Sequence, residues 1–239
     1  NVTSVPEATT PVDYVECDSD IDGFDDNGST FFDLSSKDIE VLGGLDGSRY
    51  EVSYHLSQAD ADAGIAALDK NNPYASGSVT LYVRLENSSN ITCVDTSVNF
   101  DLIVNALPAL KVDSFDQIDC DNEGLDGADF KDLRDFVDVF ISNSINYNIS
   151  YHHTLATAEL GIEPINNPEN YYARTETIYI RFENKTTLCY EIGVLNIDMR
   201  SADVSNTIEH TLVECDVNQN GIATFDINVL YDAFVADNP

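Results

Sequence analysis

The sequence predicts an all-β chain with minor short helices, built from tandem β-sandwich repeats. Three observations predict it: one set of motifs recurs at a constant offset, the segments within each copy alternate as strands do, and the connections between them carry helix start and stop signals. Ser53-Tyr54-His55 recurs as Ser150-Tyr151-His152, an offset of 97 (150 − 53). Gly64-Ile65 and Gly161-Ile162 keep that offset, as do Tyr82–Asn87 and Tyr179–Asn184. Cys93 and Cys189 lie 96 apart, and Cys17 and Cys120 lie 103 apart. Val213-Glu214-Cys215-Asp216 echoes Val15-Glu16-Cys17-Asp18 and opens a third copy. The resulting division is 1–10 as the end of a preceding linker, 11–107 as repeat one, 108–204 as repeat two and 205–239 as the start of a truncated repeat three. The linkers are short and hold Pro6, Pro11 and Pro108, which favours a semi-rigid string of domains.

Within repeat one, Ser35 to Leu42 reads as a short helix stopped by Gly43-Gly44. Tyr50 to Leu56 alternates apolar and polar residues, as does Val79 to Leu85, and both are rich in β-branched and aromatic side chains. Between them, Ser57 is placed to cap a helix that Gly64 ends; Thr154 and Gly161 repeat the arrangement. Asn99 to Val104 is the last strand. Several short strands in about 97 residues, joined by brief helices, suggest an immunoglobulin-like sandwich, although the chain has no Trp. Strict alternation puts Ser53 and His55 opposite Val52, Tyr54 and Leu56, which turns His55 and its counterpart His152 toward solvent. Arg84 and Glu86 fall on one face, as an ion pair or as a solvated pair.

Hydrophobic residues make up 43% of the chain, enough for packed cores. The outlier is charge: 43 acidic against 11 basic residues give −32. Such a chain repels nucleic acid and anionic membrane surfaces. Divalent cations between carboxylates would relieve the self-repulsion; a halophilic or merely soluble acidic surface is the alternative. No apolar run reaches the roughly 18 residues of a membrane span, so no direct membrane insertion is expected. The chain opens on Asn1-Val2-Thr3 with no signal peptide and stops at Asn238-Pro239, which reads as a piece of something longer.

The five cysteines follow the repeat. Each copy has one near its start and one after its Glu-Asn, so the expected bridges are Cys17–Cys93 and Cys120–Cys189, with Cys215 opening the third copy. Each would stabilise its domain by roughly 4 kcal/mol and implies an oxidising compartment. Core thiols in a cytosolic protein are the alternative, and the absence of C-x-x-C spacing argues against a metal cluster.

An acidic loop follows each opening cysteine. The third copy has Asp216, Asn218 and Asn220 before Gly221, then Asp226. Oxygen side chains at alternate positions followed by Gly are the first half of a calcium loop, while the closing Glu of an EF-hand is missing. Repeat one offers Asp18, Asp20, Asp22 and Asp25, closing at Phe32-Asp33-Leu34. Repeat two offers Asp121, Glu123, Asp126 and, before Leu133, Asp132. A Phe near each closing Asp is expected to anchor the loop in the core. Three such loops at homologous positions predict bound Ca2+; solvated charged turns are the alternative.

Taken together, C-D-x-D-x-D-G…F-D-L, Leu42-Gly43-Gly44, Ser57 to Gly64, Tyr82 to Asn87 and Phe100-Asp101-Leu102-Ile103-Val104 resemble the tandem repeats of very large surface proteins of Bacteroidota. Those proteins leave the cell by the type IX secretion system and include the gliding-motility adhesins of flavobacteria. Repeat two departs from the pattern: Leu-Gly-Gly has no clear counterpart, and its helix reads Thr154-Leu155-Ala156-Thr157-Ala158-Glu159. The resemblance implies a secreted, cell-surface adhesin whose partners are its own neighbouring repeats, surface polysaccharide, and the secretion or motility machinery.

No nucleophile elbow, zinc helix, phosphate-binding loop or dinucleotide fingerprint occurs, so no enzyme is expected. The favoured expectation is a calcium- and disulfide-stiffened stalk in adhesion or gliding motility. A carbohydrate-binding module, for which Tyr171-Tyr172 is the adjacent aromatic pair, and an accessory domain of a secreted enzyme are the alternatives.

Overall fold

The computed structural model describes residues 4–19, 27–121 and 126–201. The fold is all-β with short helices, arranged as two tandem immunoglobulin-like sandwich repeats. Repeat one contains β1 (Tyr14–Cys17), β2 (Thr30–Phe32), β3 (Tyr50–His55), β4 (Tyr74–Ser76), β5 (Val79–Asn87), β6 (Asn90–Asp95) and β7 (Asn99–Asn105). Its main sheet has the order β1-β7-β5-β3, with β6 also on β5, and its second layer is the β2–β4 ribbon. Repeat two contains β8 (Ser114–Asp121), β9 (Ala128–Lys131), β10 (Tyr147–His152), β11 (Tyr171–Arg174), β12 (Glu176–Asn184) and β13 (Tyr190–Ser201). Its main sheet runs β10-β12-β13-β8 and its ribbon is β9–β11. Among the described residues, pairings are antiparallel except that of the opening strand: β1 lies parallel to β7, and β8 parallel to β13. In each repeat, therefore, the first strand lies beside the last.

The helices sit where their signals are. Leu34–Lys37 forms a 3₁₀ turn capped by Asp33 and runs into α1 (Asp38–Leu42), which Gly43 ends at φ 54°. Ser57 accepts from the Asp60 N–H at the start of α2 (Gln58–Ala63), and Gly64 ends it at φ 64°. Thr154 and Gly161 do the same for α4 (Leu155–Leu160). Between the two, α3 (Val137–Phe140) is the repeat-two counterpart of α1. A left-handed residue suits glycine because no Cβ meets the following carbonyl.

Each repeat buries its own core. Phe32, Tyr54, Leu81, Leu85 and Leu102 are sealed in the first, and Phe140, Ile178, Ile180 and Phe182 in the second. In the middle of β13, Gly193 leaves room for Phe140, whose ring would lie 2.5 Å from a Cβ there.

The last strand is broken in repeat one and continuous in repeat two. In repeat one, Asp95 faces Leu85 and Asn99 faces Tyr82, four steps against three, so the final strand breaks into β6 and β7. In repeat two, Glu191 faces Phe182 and Val194 faces Tyr179, three against three, and β13 is continuous. One extra residue makes a bulge and bends the strand.

Candidate functional site: the bridged junction between repeats

The disulfide joins Cys17 to Cys189, 172 residues apart in sequence, with a Cα–Cα distance of 5.6 Å. It crosses from repeat one to repeat two. The expected pairs Cys17–Cys93 and Cys120–Cys189 are therefore corrected, and strand direction gives the reason. Cys17 faces Asn105, the last residue of β7, where repeat one hands the chain on. Cys93 lies at the opposite end of the sheet, one residue before Val94, which faces Glu86 near the end of β5. The nine residues of β5 lie between those levels. At about 3.3 Å per residue they span roughly 30 Å, far beyond the few ångströms a disulfide bridges. Repeat two is built alike: Cys120 faces Arg200 near the far end of β13, whereas Cys189 immediately precedes that strand. Each opening cysteine thus sits at the downstream end of its sandwich and each closing cysteine at the upstream end. Stacking the repeats in sequence order brings Cys17 against Cys189. An odd count and a shared spacing fix no connectivity; only the parallel placement of the first strand beside the last does.

Beside the bridge, the Asp18 N–H donates to the Asn105 carbonyl at 2.8 Å, and the Cys189 Sγ lies 4.0 Å from that oxygen. A cleft of about 480 Å³ opens beside the bridge, lined by Asp18, Leu107, Leu155, Glu159, Tyr190 and Ile192 among others. Behind Tyr190, the Arg181 guanidinium lies over the ring, 3.4 Å from its centroid. Arg181 also donates through Nη1 to the carbonyls of Ala158 and Glu159 at 3.0 and 2.9 Å, and through Nη2 to Glu183 at 2.8 Å. The pair anticipated on one strand face is therefore a buried latch that closes the C-terminal end of α4. Arg84 makes the same latch in repeat one, donating to Ala61, Asp62 and Glu86. The carbonyls of Ala61 and Ala158 already accept from the N–H of Gly64 and Gly161, and the guanidinium adds a charged donor to each and reaches the next carbonyl, at Asp62 or Glu159. Gly64 is constrained twice, by its left-handed backbone and by a Cβ that would lie 3.1 Å from the Arg84 guanidinium carbon.

His55 and His152 are the second correction. Both are 0% exposed rather than solvent-facing, whereas Leu56 is 51% exposed. The sheet face opposite the core is covered by the helical connection, which alternation alone does not show. Nδ1 of His55 lies 2.8 Å from the Ile65 carbonyl and Nε2 lies 3.0 Å from Ser53 Oγ. His152 repeats this with Ile162 at 3.0 Å and Ser150 at 2.8 Å. A carbonyl only accepts, so Nδ1 carries the proton and Nε2 accepts from the serine hydroxyl. Burial, seconded by the Arg181 charge, holds the His152 pKa below its usual value against the favourable pull of the Ile162 carbonyl. A depressed folded-state pKa gives stability that is full above the unfolded value near 6.5 and lost as pH falls through the folded one. Urea midpoints are expected to fall between pH 7 and pH 5, with a smaller fall in His152→Gln. The carboxylates of Asp62, Asp69 and Asp95 are held below their usual range by hydrogen bonds, against the cost of burial, so their share is lost only under about pH 4.

The described members of the acidic loops have fixed local roles. Asp18 is 3% exposed and accepts from the N–H groups of Ser19 and Gly28, closing the mouth of its loop. Asp121 is 2% exposed and accepts from Gly127 in the same way. Asp33 and Asp132 cap the 3₁₀ turns that follow, and Arg134 adds a two-pronged pair to Asp132. The Asp132 carboxyl is held below its usual pKa by the Arg134 hydrogen bond. Asp126 accepts from the Tyr172 hydroxyl at 2.8 Å. Among the described residues no three His, Cys, Asp or Glu side chains gather as a metal site. Asp20, Asp22, Asp25, Glu123, Asp216, Asn218, Asn220 and Asp226, with Cys215 and the third copy, lie outside the described residues. The aromatic anchor holds in repeat one, where Phe32 and Leu34 are buried. In repeat two it does not: Lys131 takes the place of Phe32, Phe130 is 52% exposed, and Leu133 alone is buried. Tyr171 turns inward, its hydroxyl donating to Glu176, while Tyr172 faces out across from Phe130, ring centroids 4.9 Å apart.

No helix among the described residues is long and apolar enough to cross a membrane. A disulfide of this kind belongs to an oxidising, extracellular setting. None of the curated proteins compared matches the chain. It is similar to the solved Drosophila N-cadherin EC1-3 at 11% identity, covering 64% of this chain and 56% of that one, with a TM-score of 0.23. Titin domains Z1Z2 in complex with telethonin give 10% identity over 84% and 99% of the two chains, with a TM-score of 0.22. The decisive likeness is to a sequence family matched twice, over residues 13–108 and 116–203, and covering most of the chain. With its repeats joined across their boundary by Cys17–Cys189, the chain belongs to the Flavobacterium inter-domain disulphide bond domain family.

Proposed function

We propose that this chain is a non-enzymatic repeat segment of a large, secreted cell-surface adhesin, serving as a disulfide- and calcium-stabilised stalk in adhesion or gliding motility. The observation that carries the reading is the Cys17–Cys189 bridge, which ties neighbouring repeats instead of stapling each one internally. Cys120 occupies the position of Cys17, and Cys93 that of Cys189. The same bridge continued along an array of such repeats would lace each one to the next. The resemblance to type IX-exported flavobacterial surface proteins supplies the setting, and surface polysaccharide and the motility machinery are the partners it suggests. Antibodies to the two repeats are expected to label intact cells; labelling confined to permeabilised cells contradicts the reading.

Calcium fits the charge of −32 and the three acidic loops, whose first carboxylates in repeats one and two, Asp18 and Asp121, are already fixed at the loop mouths. By linkage, an ion at 100 times its dissociation constant adds about 2.7 kcal/mol per site. The melting temperature is expected to rise with millimolar calcium over EDTA and not with equal magnesium. Coincident curves would leave solvated turns and a stalk stiffened by disulfides alone.

A further inference from the structure

We infer that the Cys17–Cys189 bridge makes the two-repeat unit an inextensible tether, carrying tension past both sandwiches instead of through them. This deepens the stalk reading and rests on it only in supposing that load is applied along the chain. Cys17 ends β1, the first strand of repeat one, and Cys189 precedes β13, the last strand of repeat two. Tension applied outside the pair enters β1, crosses the sulfur–sulfur bond, and leaves along β13. Every residue from Asp18 to Leu188 is off that path, and among the described residues that stretch holds most of both cores, both ribbons and α1 to α4. The residues left on the path are already drawn out. A strand advances about 3.3 Å per residue, close to the 3.3–3.6 Å limit of a fully extended chain, so pulling on β1 and β13 gains almost no length.

The loaded strands are also held sideways. β13 is paired along both edges, by β12 over Glu176–Glu183 and by β8 over Ser114–Asp121. β1 is paired with β7 from Tyr14 to Cys17, with the Asp18 N–H adding a bond to Asn105. A bridge inside each repeat would have acted differently, leaving the linker between repeats, near Leu107 and Pro108, on the load path. The inter-repeat bridge removes linker and domains together. Without it, the chain between the cysteines, 172 residue steps long, could be drawn out to roughly 570–620 Å.

Stretching the oxidised chain between handles at its two ends tests this, with Cys17→Ser as the comparison. The oxidised chain is expected to release no length from within the bridge, and Cys17→Ser to release several hundred ångströms more, in one or two steps. Adding dithiothreitol to the wild-type chain held under constant load is expected to start the same steps, so the test survives poor folding of the variant. Equal release by oxidised wild type and Cys17→Ser would overturn the inference, as would indifference to dithiothreitol. Either result concerns the load path alone: a segment never displayed on a cell would still show the lock, and a displayed one could lack it.

Discussion

Replacing Cys189 with serine is expected to cost up to about 5 kcal/mol against complete unfolding, and to split one cooperative transition into two. The bridge closes a loop of 172 residues. In the chain-entropy description such a loop lowers the entropy of the unfolded chain by about 5 kcal/mol at room temperature, somewhat more than a bridge within one repeat would. The single bond also protects both repeats. If repeat one opens while repeat two stays folded, its residues remain held at both ends, and the converse is true as well. Cys17→Ser is therefore expected to match Cys189→Ser, with the double variant no worse than either, because all three remove one bond. Guanidinium unfolding, followed separately in each repeat, reads the result. Intra-repeat bridges would give two distinct losses that add.

The second large effect is expected at Arg181. Arg181→Met keeps the length of the side chain and removes its charge. The carbonyls of Ala158 and Glu159 lose the guanidinium, Ala158 keeping only the Gly161 N–H, while Glu183 loses its cation and Tyr190 the charge over its ring. Breaking a buried charge pair by removing one partner costs about 3–5 kcal/mol, and the 27% exposure of the Glu183 side chain places this case at the low end. Repeat two should lose about 3 kcal/mol while repeat one is unchanged. Arg84→Met should show the mirror image, since Arg84 holds the same carbonyls of α2. A loss under 0.5 kcal/mol in both would mean that the latch is only a solvated pair.

Much of the fold was legible because its signals are local. Ser57, Gly64, Thr154 and Gly161 mark helix ends through their own backbone chemistry, and the alternation of Val79 to Leu85 marks a half-buried strand. What could not be read depends on contacts between distant segments. His55 alternates as a solvent-facing residue, yet the chain after α2 returns over it and lays the Ile65 carbonyl on its ring. Arg84 and Glu86 share a face as expected, but nothing nearby announces that α2 ends above them. The cysteines show this most clearly. Within one repeat, Cys17 and Cys93 look like a pair; only the parallel seating of β1 beside β7 puts them at opposite ends of the sheet. The extra residue between Asp95 and Asn99 falls after Cys93, the last position in the recurring motifs, so motif spacing did not show it.

The central claim is that consecutive repeats are joined covalently. Proteolysis of the unreduced chain, followed by mass spectrometry of the linked peptides, tests it directly. A peptide containing Cys17 joined to one containing Cys189 is the predicted result, lost on reduction. Cys17 joined to Cys93, with Cys120 joined to Cys189, would contradict it and return the molecule to two separately stapled beads.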